Sequence, residues 1–530
     1  MATANLRIQK TSGWRNAAMN LLEDPWIPVR ADHGSGAFQL LTYRDLLCEP
    51  GQHWQISLPR DDLELACLQL LVCMTQVMFL PNDDTDLRRR LAESLTPAEF
   101  DAGIASFADW FDLDHPTQPF MQTRGVKAAE TTPIQKLLIG LPEGNNHAFF
   151  NEAGEVRHLG GPVAAIALFN QASNCPSFGG GFKGSLRGGA PITTLVFDRD
   201  LRRMVWRNVL TRPRVTERQI DAPGPAQDRP TWVAPIAEKS TIHWNQIGLM
   251  RGLFWQPAHV ELVKSEQTRT CDVLGGEATA GYSGFLKEKF NFTVEGVWPH
   301  PHGAMTMTLK KGVLEQRFAS FTTTAPAWTQ LSEFVIPRGV NDKDAKEGST
   351  PAGPINQFAA IARDEKLNIL VGGYRTKQAS VLERRHELIG LAPGWDREAR
   401  LTKLVEIGKE AKKTLYEKLR DASKGKKIKV KKTGVKLEMK GLGAAVHETS
   451  EKLFFARTEG LIHQTLSNDA TFKEWGEARR AYTQQVTDHC RDIFKELTDP
   501  YMANPDLIPI IAWTERGLNI ELKKLKEDNQ

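Results

Sequence analysis

Apolar residues along this chain follow two patterns that change near residue 392. From Met19 to about Gly390, short apolar runs such as ITTLVFDRD, KFNFTVEGVW and AMTMTLKKG stand between closely spaced Gly and Pro, which predicts strands and turns. A helix is predicted to begin at ISLPRDDLEL, with Ser57 as its cap, Pro59 in the first turn and the following acids favoured by the N-terminal dipole. The uncharged run Leu65–Leu80 contains Gln69, Thr75 and Gln76, so it reads as a buried helix, being short and polar for a membrane span. The apolar run Leu367–Val371 leads into GGYRTKQAS, a turn carrying an aromatic, two cations and a glutamine, and then into VLERRHELIGL, which has helical periodicity. After APGW (392–395), Leu401, Leu404, Val405, Leu415 and Leu419 recur at three- and four-residue steps or their multiples. The same spacing returns at Trp475, Ala478, Tyr482, Val486, Cys490 and Leu497, with helical patterns also over 445–466 and 506–526.

Four such helices with short connections predict a bundle. The expected fold class is therefore α+β: a large mixed N-terminal domain with long loops over 19–392, followed by a four-helix bundle over 393–530. Residues 1–18 have scattered charges and no apolar core and are expected to be an N-terminal extension. No internal repeat is found.

A chain of 530 residues exceeds what one hydrophobic core supports, and 41% apolar with 25% charged residues excludes a disordered protein. With a net charge of only +4, any contact with a polyanion must come from local clusters of Lys and Arg. One such cluster is KGKKIKVKKTGVKLEMK (424–440), eight lysines against one acid within the helical region. It reads either as a solvated linker, unable to pack in a core, or as a contact to nucleic-acid phosphates. Six cysteines lie far apart with no CxxC pair, which argues against a disulfide framework or a thiolate zinc site and for a reducing cytoplasm.

The sequence contains no GxxxxGK[ST], HExxH or GxSxG. Gly179, Gly181 and Gly184 satisfy GxGxxG, but SLRGGAP follows at once where a dinucleotide site needs a helix. These glycines permit close backbone approach to a partner, with Lys183 and Arg187 suited to phosphate contact, or they serve only crowded packing. His300 and His302 in WPHPHGAM have no acids or cysteines at ligand spacing and read as loop or core residues. In FLKEKF, a strand would place Lys287 and Lys289 on one face and Glu288 on the other.

Taken in order, MNLLEDPWIPV, SLPRDDLELACLQLLVC, AIALFNQAS, FGGGFKGSLRGG, RGLFWQPAH, GFLKEKFNFTV, WPHPH, GGYRTKQASVLERRH and VHET resemble the CasA family, the large subunit of the type I-E CRISPR surveillance complex Cascade. The resemblance runs from residue 19 into the last helices. It implies a subunit without catalytic activity or cofactor that reads the protospacer-adjacent motif of double-stranded DNA from the minor groove, starts strand separation and recruits a helicase-nuclease. The implied partners are the other Cascade subunits, guide RNA, target DNA and that nuclease, with no membrane.

By position, the family's lysine finger matches Lys289, and its glycine loop matches Ser177, Phe178, Gly179 and Gly180, with serine in the first place. Its glutamine wedge matches Gln378, flanked by Lys377 and Ala379, and its contact to the guide-RNA handle matches Phe149 in HAFFN. Lys183, Arg187, Lys287, Arg375, Lys427, Lys431 and Lys432 are candidates for non-specific contacts to DNA phosphates. Several family members hold zinc through cysteines near positions matching Leu159, Pro162 and Cys271. Only Cys271 remains here, so no zinc is expected. The alternative reading is a nucleic-acid-processing enzyme with an unrecognised active site.

Overall fold

The computed structural model describes residues 19–530 apart from 142–153, 223, 225–226, 341–346, 378–379, 398 and 430–435. The extension 1–18, Phe149, Gln378, Ala379, Lys431 and Lys432 therefore lie outside the described residues. The fold mixes helices and strands and ends in a helical bundle, as the apolar pattern predicts. Its contacts define two units, one of residues up to 190, 198–300 and 376–384, the other of 191–197, 301–375 and 385–530. This division does not fall at 392/393, because strands before that point and helices after it share one apolar core. Among the described residues no helix is long and apolar enough to cross a membrane.

In the first unit, helix α1 (Asp61–Met78) is buried along nearly its whole length, as its run of uncharged residues predicts. The acids Asp61, Asp62 and Glu64 occupy its first turn, but Arg60 stands at the cap position and Ser57 does not cap. The Ser57 hydroxyl instead accepts a hydrogen bond from Arg30 Nε at 3.2 Å, and Glu64 Oε1 accepts from the Leu58 N–H at 3.0 Å. Helix α2 (Gly161–Asn174) is buried from Val163 to Asn174. A helix without an exposed face must satisfy its polar side chains internally. Asn174 Nδ2 accordingly donates to Gln69 Oε1 on α1 at 3.1 Å and to Asn170 Oδ1 at 2.9 Å.

Beside these helices, strand β1 (His259–Lys264) pairs antiparallel with β2 (Gly281–Glu288), placing Phe285 opposite Leu262 and Lys287 opposite Val260. The other edge of β2 pairs with the short strands Thr132–Pro133 and Leu159–Gly160.

In the second unit, β3 (Leu367–Lys377) lies between β4 (Ser380–Leu391) and the short strand Thr193–Val196. GGYRTKQAS is thus mostly strand, and VLERRHELIGL is strand rather than helix. Its three- and four-residue spacing is overridden by tertiary packing. Ile389 and Leu391, two apart, are both fully buried, and the Arg385 guanidinium donates to the carbonyls of Ala325 and Thr323.

Four long helices complete this unit: α3 (Arg400–Lys424), α4 (Val446–Ser467), α5 (Trp475–Thr498) and α6 (Ile508–Glu527). Helix α3 packs against the other three. Gly425, at φ +76°, ends it with its N–H donating to the Asp421 carbonyl at 3.0 Å. Mid-helix Gly408 costs roughly 1 kcal/mol against alanine in propensity. A Cβ there would stand 2.8 Å from the Trp328 ring and 2.9 Å from the Tyr482 hydroxyl, so close packing outweighs propensity.

The lysine-rich segment pairs Lys426–Lys429 with Lys436–Met439 antiparallel. Contrary to its reading as a segment unable to pack, Met439 is buried in this unit's core.

Candidate nucleic-acid interface

The loop after α2 is built to expose its backbone. Gly179, Gly180 and Gly181 take φ values of +79°, +53° and +89°, a left-handed run that residues with a Cβ rarely adopt. A turn closes with the Phe182 N–H on the Gly179 carbonyl at 3.0 Å, and Ser177 Oγ accepts from the Gly179 N–H at 3.1 Å. The Ser177 side chain therefore serves the turn itself. Nothing lies within 4 Å of where a Gly180 Cβ would be.

Strand β2 brings the second component to this loop. As the alternation predicts, odd positions face the loop and Glu288 faces away, accepting from the Lys127 N–H at 3.4 Å. Lys289, exposed just past the strand, donates from Nζ to the Gly180 carbonyl at 3.3 Å. Lys287 Nζ sits 5.3 Å from the centre of the Phe178 ring. That ring in turn packs 5.7 Å from Phe285, which is fully buried, and 5.5 Å from Phe182. Phe178 thus anchors the loop from beneath, while Gly179, Gly180 and Lys289 form its outer surface. Phe285 and Phe182 were missed in the sequence, although Phe285 is two residues before Lys287 and so on the same strand face.

Under the loop lies a cavity of about 20 Å³, lined by Gln171, Ser177, Phe178, Lys183, Gln256 and Val260 among others. That is space for about one water, far below the few hundred Å³ of a ligand pocket, so the loop can engage a partner only at its surface.

The remaining candidates separate clearly. Lys183 is exposed, with Nζ 5.8 Å from the Phe292 ring centre. Lys377 is exposed at the end of β3, whereas Arg375 is half-buried within that strand. Lys427 is exposed and paired with Glu438 at 2.8 Å. His300 and His302 are both buried, as the core reading expects.

Arg187 corrects the sequence reading. It is 4% exposed and so cannot reach a phosphate. Its Nη2 donates to the Ser173 carbonyl at 3.3 Å and to the Asn174 side chain, and burial pushes its guanidinium down to about 9. It staples the far end of the glycine loop to the C-terminus of α2. Arg187→Ala is therefore expected to lower stability by roughly 1–3 kcal/mol for each acceptor left unpaired, measured by urea denaturation.

An α+β unit presenting a glycine loop and an adjacent lysine, joined in the same chain to a unit ending in a four-helix bundle, defines the class of protein. Residues 20–493 match the family model described as CRISPR-associated protein Cse1, and the chain belongs to that family. Among solved structures, it is similar to Cse1 from Acidimicrobium ferrooxidans at 15% identity and a TM-score of 0.73, covering 97% of this chain and 99% of that one. Thermobifida fusca Cse1 aligns at 18% identity and a TM-score of 0.72, with 97% and 99% covered. A chain of a structure described as a CRISPR RNA-guided surveillance complex aligns at 14% identity and a TM-score of 0.62, with 94% and 99% covered.

Proposed function

We propose that this protein is the non-catalytic large subunit of a Cascade complex and that it reads the protospacer-adjacent motif of duplex DNA from the minor groove. Its partners would be the other Cascade subunits, guide RNA, target DNA and a helicase-nuclease. The observation that carries the reading is the exposed Lys289 ammonium beside the bare Gly180 carbonyl, 3.3 Å apart. The minor groove is narrow and presents acceptors, with a donor only at guanine. A slender ammonium can donate to its acceptors, and an unshielded carbonyl can accept from that guanine amine. Only one of the three ammonium hydrogens is engaged by Gly180, leaving two for the groove.

In the same reading Gln378, between β3 and β4, enters the duplex next to the motif, with Lys377 and Ala379 beside it. Unstacking one step costs a few kcal/mol, which phosphate contacts from Lys183, Lys287 and Arg375 help to offset. Phe149 would meet the guide-RNA handle, and Lys427, Lys431 and Lys432 would add phosphate contacts from the lysine-rich segment.

The test is a motif-library binding assay on the complex reconstituted with guide RNA. Binding should depend on the motif. Gln378→Ala should leave initial motif binding intact but slow strand opening at least about tenfold, read by 2-aminopurine fluorescence next to the motif. Equal binding across the library would defeat the proposal.

A further inference from the structure

The second unit also carries a set of potential metal ligands that neither the motif search nor the proposed function uses. Glu459 and His463 are four residues apart on α4 and so share one face of that helix. Glu387 joins them from β4, and one donor atom from each of the three residues lies within 4.8 Å of the other two. All three side chains are half-buried, a level that shields charge while leaving access for a small ion.

We propose that Glu387, Glu459 and His463 bind one divalent first-row transition-metal ion of the Zn²⁺ class. Metal–ligand bonds of about 2.0–2.2 Å in a tetrahedron put neighbouring donors roughly 3.4 Å apart, so side-chain rotations of about an ångström would close the set. The Glu387 carboxylate is already held in place, since its two oxygens accept from the Ala327 N–H at 3.0 and 3.2 Å.

The donor types set the class of ion. An imidazole with two carboxylates favours Zn²⁺, Co²⁺ or Mn²⁺ over Mg²⁺ and Ca²⁺, which prefer all-oxygen shells. Three protein ligands leave at least one position for water. The ion would tie β4, which begins two residues after the proposed wedge Gln378 in sequence, to α4. The binding claim itself does not depend on the role of Gln378.

The experiment is a titration of the full-length chain with Co²⁺ followed by visible absorption, with a parallel thermal melt in Zn²⁺. One equivalent of Co²⁺ should develop d–d bands without the near-ultraviolet thiolate charge transfer that ligation by any of the six cysteines would bring. Glu459→Gln and His463→Asn should each weaken binding at least about tenfold and abolish the rise in Tm with Zn²⁺. Far-UV circular dichroism checks that each variant is folded, and either folded variant decides the question. No cobalt bands, bands with thiolate charge transfer, or unchanged affinity in a folded variant would overturn the proposal.

Discussion

Lys289→Ala, assembled with guide RNA and the other subunits, is expected to lose about 1–3 kcal/mol of affinity for duplexes carrying the preferred motif, roughly a 5- to 150-fold rise in Kd. The stability cost should be small. The ammonium is exposed, and its bond to the Gly180 carbonyl competes with water. The glycine run, the Ser177 turn and the Phe178 anchor on Phe285 remain intact without it. Measured by filter binding or biolayer interferometry, the loss should appear with the preferred motif and shrink with scrambled motifs. A general loss across all sequences would assign Lys289 to the phosphates instead, with the salt slope falling by about one.

A larger effect on stability is expected at Trp328, in the core of the second unit. This side chain is fully buried, its ring 6.0 Å from that of Phe455 on α4 and pressed against Gly408 on α3. Trp328→Ala should cost about 3–5 kcal/mol, because the space between strands and bundle cannot collapse around a lost indole. Trp328→Phe should cost much less. It keeps most of the ring and removes an indole N–H that has no partner among the described residues, which partly offsets the lost volume. Urea unfolding of the two variants beside the parent checks this order, and equal losses would show that the volume of the indole does not govern the site.

The two substitutions probe parts of the molecule that were unequally legible in sequence. Alternation assigns Lys287 and Lys289 to one face of a strand, and both turn toward the glycine loop: Lys287 within β2, whose pairing with β1 runs in regular register from Gly284 to Glu288, and Lys289 just past its end. The four bundle helices were also readable, since an amphipathic helix writes its buried stripe every three or four residues. Trp328 carries no such signal. It stands in a short segment between strands, and only the fold reveals that helices beginning 72 residues or more away close over it.

The errors share one physical origin. VLERRHELIGL has helical spacing, yet pairing with β3 makes it a strand, because backbone hydrogen bonds and the burial of Ile389 and Leu391 outweigh local propensity. Arg187 looked like a surface cation beside a glycine loop, but the buried carbonyl of Ser173 and the Asn174 side chain take it inside. In both cases long-range partners decided the outcome.

By itself the sequence determined the α+β class, the bundle, the glycine-rich turn, and the likeness to one family, because these are written in local period, composition and ordered motifs. The tertiary structure alone decided where contacts divide the chain, that Lys289 meets the Gly180 carbonyl, that Phe178 anchors the glycine loop on Phe285, and that Glu387 meets Glu459 and His463. Those depend on residues far apart in the chain, and their pairing is set by packing rather than by spacing.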